Sequence, residues 1–225
     1  MVFIPFDWVA IGFWIVVVIL SFGISLFFFQ KYLKFAEKTK IQLAFCLVFL
    51  CLAIGRAILV YSDYVLTSLV VDEYVNFQTI WKVANFFELA GLGFLLLVSE
   101  YAVFKGRDYF VFIIGFSSIV FIAMLIIQDF FLAQTFSVTA IAFAAFIPIS
   151  HIYLAIKLPM ERRNVFFLLT GFLIFGVVLI LISAGITSLL GGDEHLIYLI
   201  SAIVQIPGLL IMAIAIKRIY FAENV

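Results

Sequence analysis

Residues 86–101 read FFELAGLGFLLLVSEY. The run is apolar except for Glu88 near its start and Ser99 and Glu100 at its close. Extended back to Gln78, it reaches the roughly 20 residues that a helix rising 1.5 Å per residue needs to cross a hydrocarbon layer. The rest of the chain is built in the same way. Of 225 residues, 67% are hydrophobic and 12% charged, against about 45–50% and about 25% in an ordinary soluble domain. A soluble fold of this size cannot hide that much apolar surface, so the sequence points to lipid as the main solvent.

Polar breaks at QKYLKFAEKTK, TSLVVDEYVNF, VFKGRD, DFFLAQ, LPMERRN and GGDEH divide the chain into seven apolar spans. Their approximate limits are 5–30, 41–66, 78–101, 109–129, 135–157, 165–190 and 196–218. The expected fold is an all-α integral membrane protein, a single seven-span transmembrane bundle over residues 1–225. The first thirty residues contain no Lys or Arg, so the first run reads as a retained helix and not as a signal peptide.

Eleven of the thirteen basic residues fall on one side of this arrangement, from Lys31, Lys34, Lys38 and Lys40 to Lys217 and Arg218. The opposite side has Asp7, Asp72, Glu73, Asp129, Asp193 and Glu194. By the positive-inside rule the amino terminus is outside and the carboxyl terminus cytoplasmic, in what reads as the plasma membrane. Trp8, Tyr64, Tyr74, Trp81 and Tyr198 are expected to form an outer aromatic belt, and Tyr32, Tyr101, Tyr109, Tyr153 and Tyr220 an inner one.

The two remaining basic residues, Arg56 and Lys82, lie within spans. Arg56 precedes the outer end of span 2 by ten residues, and Glu88 follows the outer end of span 3 by ten. Both are therefore roughly 15 Å deep, close to the midplane. Gln205 in span 7 falls at nearly the same depth, and Asn85 roughly shares a face with Glu88. A charge at this depth costs on the order of 2.5–3.5 kcal/mol on insertion scales, so Arg56 and Glu88 are expected to meet. Their meeting is either an interhelical ion pair that fixes packing or part of a solvated ligand or proton site. Asp63 and Lys82 form a second candidate pair nearer the outer end.

Pro207 and Gly208 in QIPGLL, and Pro148 in FIPISHIY, are hinge candidates because a proline frees the carbonyl four residues earlier. Glu100, beside the basic inner loops, is expected to pair with a loop cation and is a candidate cytoplasmic lock. A weak parallel repeat of 5–101 and 135–218 aligns Glu88 with Gln205, Gly91 with Gly208 and Leu92 with Leu209.

Several chemistries find no residues. The topology resembles that of rhodopsins, but the last span lacks a retinal lysine away from its cytoplasmic end, where Lys217 sits. His151 and His195 are too far apart in depth to clamp one haem, and neither belongs to a zinc-ligand cluster. Cys46 and Cys51 point to different faces of one span. With no net charge and no basic block, nucleic acid is an unexpected partner. No catalytic constellation appears, so an enzyme is not expected, and neither is a metal or cofactor. Three readings remain: a transporter or ion or proton pathway, a seven-span sensor or receptor that signals through a separate cytoplasmic protein, and an accessory membrane subunit. The first two imply a small-molecule or ion ligand, and the last two a protein partner.

Overall fold

The computed structural model describes residues 5–35, 39–104, 110–157, 162–181 and 194–221. They form helices with no strand among the described residues. In chain order these are α1 (Pro5–Lys34), α2 (Lys40–Tyr61), α3 (Gln78–Val103), α4 (Val111–Phe121), α5 (Phe130–Ala144), α6 (Phe146–Lys157), α7 (Arg162–Leu181) and α8 (Glu194–Tyr220). A π turn, Ser62–Leu66, extends α2, and another, Ile122–Ile126, extends α4. α5 and α6 follow one another as a single broken rod. Consecutive rods are neighbours, and α8 closes the ring against α1.

Five rods are long and apolar enough to cross a membrane: α1, α2 with its π turn, α3, α5–α6 and α8. The sequence expects seven spans. Residues Val111–Ile126 form a shorter apolar helix, only roughly 24 Å long at 1.5 Å per residue. α7 is described to Leu181, and its expected continuation to residue 190 lies outside the described residues.

The bundle is apolar on its outside. Ile19 is 65% exposed and Ile156 68%, and most helices present a similar surface. Helices apolar all round suit a lipid surround or the core of a larger assembly. Polar contacts are instead made between helices. Ser25 Oγ donates to the Cys46 carbonyl at 2.8 Å, tying α1 to α2. Gln42 Nε2 donates to the Tyr220 carbonyl at 2.9 Å, tying α2 to α8. Gln42 also forms a capping box with Thr39, which satisfies two amides at the start of α2.

The two ends of the bundle differ. At one, Asp7 of α1 meets His195 of α8 at 2.5 Å, and Tyr64 packs edge-on against Tyr198. At the other, Phe28 stacks on Phe221 at 4.8 Å, beside the helix termini that carry Lys31, Lys34, Lys217 and Arg218. These are called the acidic and basic ends below.

The prolines act differently from one another. The α5–α6 rod breaks at Ala145, just before Pro148. Pro148 has no N–H to offer the Ala144 carbonyl, so the ladder is interrupted there. α8 continues unbroken through Pro207. Gly208 is a close-packing position: a Cβ there would lie 2.8 Å from Ile174 Cγ2 on α7. The glycines aligned by the weak repeat, Gly91 and Gly208, each face the preceding helix, as any pair of antiparallel hairpins could arrange.

Candidate functional site

α2 and α3 come close together at Gly55. A Cβ on this residue would lie 2.6 Å from Glu88 Cγ and 2.8 Å from both the Ala84 carbonyl oxygen and the Glu88 nitrogen. Only glycine permits this approach, and it brings the next residue, Arg56, against Glu88. Arg56 Nη2 lies 2.7 Å from Glu88 Oε1, and both side chains are buried. The guanidinium also lies over the Trp14 ring of α1, 4.4 Å from its centroid. Burial of two charges costs several kcal/mol per ion and is tolerated only when they are paired. Here the pair joins α2 to α3, with α1 stacked against the cation.

Arg56 and Glu88 form part of the wall of a cavity among α2, α3, α5 and α8, in the half nearer the acidic end. About 80 Å³ of it is open to the centres of water molecules, and roughly 10–15 Å³ suffices for one. Asp63 and Asn85 line it from the α2 and α3 rods, and Gln134 and Ser137 from α5. Tyr74, Trp81, Phe130 and Tyr198 contribute aromatic rings.

Asp63 reaches this wall through the end of α2. It lies in the π turn, seven residues beyond Arg56 and on the same side of the rod. The chain then reverses through Ser68 and Leu69, at φ 49° and 62°. Thr67 and Leu69 donate their amides to the Ser62 and Asp63 carbonyls, closing the helix end. This reversal returns Tyr74, whose hydroxyl donates to Asp63 Oδ1 at 2.7 Å. Burial pushes the Tyr74 phenol well above its usual range, so it remains a donor.

The structure brings some of the sequence-derived candidates together and separates others. Arg56, Glu88, Asn85 and Asp63 share the cavity wall. Asn85 also donates to the Trp81 carbonyl one turn earlier, at 2.9 Å. Gln205 is buried in α8 with its Oε1 unpartnered, but it does not line the cavity. The expected Asp63–Lys82 pair is not made: Asp63 takes the Tyr74 hydroxyl, and Lys82 Nζ donates to the Ile127 carbonyl at 2.5 Å. Glu100 accepts from the Phe112 and Ile113 amides at 2.8 and 3.0 Å. Of the inner-loop cations, one of which is expected to meet it, Lys105 and Arg107 lie outside the described residues.

Lys82 and Glu100 are thus the two ends of a clamp. They stand on α3 about 27 Å apart at 1.5 Å per residue, and between them they hold α4 and its π turn. The carboxylate meets the amide end of α4 and the ammonium its carbonyl end, the signs that the helix macrodipole favours.

Six polar or aromatic lining residues, Phe130 and Ser137 among them, escape the sequence reading. Tyr74, Trp81 and Tyr198 are placed there in an outer belt, whereas Tyr74 and Trp81 are buried and all three face the cavity. Trp8, in contrast, is exposed. Gln134 is hidden within a stretch read as a loop, DFFLAQ. Asp129 is in fact the N-cap of α5, accepting from the Leu132 amide at 2.7 Å, so this stretch is the first helical turn. An Asp directly before an apolar run is an N-cap signal. His151 is buried against Phe172 with Nδ1 2.7 Å from the Ile147 carbonyl. No protein-family model, curated protein or solved structure matches the chain.

Proposed function

We propose that the protein is a seven-span membrane protein, amino terminus outside, residing in the plasma membrane, and that the Arg56–Glu88–Asp63 cavity is the solute- or proton-binding station of a transport pathway. Five long apolar rods, an apolar outer surface and the separation of acidic from basic helix ends support the membrane reading. A cavity lined by ionisable side chains within such a bundle carries the functional reading, because ionisable groups inside membrane bundles mark solute and proton routes. A second, apolar cavity of about 220 Å³ supports a continuation toward the basic end. It shares Leu92 and Ile141 with the first and reaches the α5–α6 break at Pro148.

Flux into proteoliposomes tests this, with a proton gradient or simple cations and anions, comparing the parent with Glu88→Gln. The expected result is flux in the parent and none in the folded variant. No flux through folded parent protein refutes the transport reading.

One observation favours a second reading. Leu92 and Ile141, which line both cavities, are apolar, and if they close the boundary between the two the polar site is reached from one side only. Such a site belongs to a sensor that signals through a separate cytoplasmic partner. Thiol accessibility from both faces separates the two.

A further inference from the structure

The charges in the cavity wall do not balance. Among the described residues that line it, Arg56 is the one cation, and Asp63 and Glu88 are two carboxylates. Glu88 engages the guanidinium directly at 2.7 Å. Lys82, the other cation within these spans, is turned away to the Ile127 carbonyl and does not line the cavity. Asp63 receives a hydrogen bond from the neutral Tyr74 hydroxyl, and the one cation acting on it is the Arg56 guanidinium, which it shares with Glu88. Two carboxylates that share one guanidinium in an apolar bundle call for a second cation, and the space beside Asp63 is bounded by aromatic rings. Tyr74 stacks on Phe130 with centroids 5.9 Å apart, and Trp81 meets Phe130 edge-on at 5.0 Å. Tyr198 lines the same cavity. Ring quadrupoles attract a desolvated cation most strongly in such surroundings.

We propose that the cavity binds a small organic monocation, an ammonium head group seated against the Tyr74–Trp81–Phe130 wall, with Asp63 as its counter-charge. This rests on the cavity being a ligand site, as the transport reading requires, and it names the class of solute. The site suits a compact ion: about 80 Å³ is open to water centres, on the order of three waters at about 30 Å³ each, which matches a head group of a few heavy atoms. Asn85 and Gln134 supply amide oxygens for any N–H or O–H that the ligand carries.

The test uses the full chain in lipid nanodiscs and calorimetric titration with choline and with 3,3-dimethylbutanol, a neutral molecule of nearly the same shape. Choline is expected to bind saturably, and the neutral analogue at least about tenfold more weakly. Asp63→Asn is expected to remove most of that difference. Equal binding of the two molecules, no binding of choline to folded parent, or an unchanged preference in folded Asp63→Asn overturns the proposal. The comparison of the two molecules on the parent stands even if the variant fails to fold. Proton or alkali-ion flux that depends on Glu88, without choline binding, overturns the cation site and leaves the transport reading intact. Choline binding with no flux of any solute does the reverse.

Discussion

Gly55→Ala offers the sharpest test of how the site is held. The added methyl would lie 2.8 Å from two backbone atoms of α3, where 3.4 Å is ordinary contact. Glu88 Cγ, at 2.6 Å, can swing aside only by disturbing the ion pair. Backbone cannot yield in this way, so α2 and α3 must separate by about 0.6 Å along much of their contact. Overpacking of this kind costs typically about 1–3 kcal/mol. Gly12 and Gly23 on α1 provide internal controls, because nothing lies within 4 Å of a Cβ at either position. There, alanine removes the helix penalty of glycine and is expected to stabilise by up to about 1 kcal/mol. The assay is reversible unfolding in mixed micelles by titration with denaturing detergent, all three variants in parallel. Gly55→Ala should fall below the parent while Gly12→Ala and Gly23→Ala equal or exceed it. A Gly55→Ala variant as stable as Gly12→Ala would refute the close α2–α3 contact and the placement of Arg56 that depends on it.

Further outcomes follow from the same geometry. Arg56→Ala should lose about 3–5 kcal/mol by leaving Glu88 buried and alone, whereas Arg56→Leu with Glu88→Leu should recover most of it; detergent unfolding of the set measures both, and a double variant that also keeps full flux would make the pair a packing device only. Lys82→Met and Glu100→Gln should each cost about 1 kcal/mol and raise amide exchange at opposite ends of α4, at Ile127 and at Phe112–Ile113, with near-additive effects because the sites are far apart. Ser68→Gly, at φ 49°, should stabilise by up to about 1–2 kcal/mol by relieving left-handed strain. With Cys46 and Cys51 replaced, Ser137→Cys should react with a membrane-impermeant thiol reagent from the acidic end, while Ile203→Cys, which is 43% exposed on the bundle's outer face, should remain unlabelled in the bilayer.

What the sequence discloses is governed by length and depth, and what it conceals is governed by direction. Apolar runs of spanning length are visible because each residue adds a fixed 1.5 Å, so five long rods and the equal depth of Arg56 and Glu88 can be read by counting. Counting does not say which way a side chain points, since these helices are apolar all round and have no polar stripe to set their rotation. Tyr74 therefore looks like an interface aromatic until the π turn at Ser62–Leu66 and the reversal at Ser68–Leu69 return it inward, and Trp81 and Tyr198 look so until the rotations of α3 and α8 turn them to the cavity. Gln205 has the right depth but does not reach the cavity wall, and depth alone does not separate it from Glu88. The short α4 is hard to foresee for a related reason: its limits depend on Glu100 and Lys82 of α3 capping it from outside its own sequence.

That clamp bears on the chemistry of the cavity. α3 carries three charges, and the fold uses each one to complete a different neighbour: Lys82 the carbonyl end of α4, Glu88 the guanidinium of α2, and Glu100 the amide end of α4. Each is paired with a group of opposite or complementary polarity, so none is left to balance a charge elsewhere. Arg56, between Trp14 on one side and Glu88 on the other, is the one cation that also acts on Asp63. Asp63 differs from all of these. Its hydrogen-bond partner is a neutral hydroxyl, and it sits in the π turn that ends α2 instead of on a regular helical face. π turns recur at functional sites because they turn one side chain out of the helical register. A fold that satisfied only its packing could have placed an asparagine at residue 63 and kept the Tyr74 hydrogen bond without a buried charge. The carboxylate is what distinguishes a site that exchanges a cation or a proton from one that merely closes the bundle, and Asp63→Asn is the substitution that tells them apart.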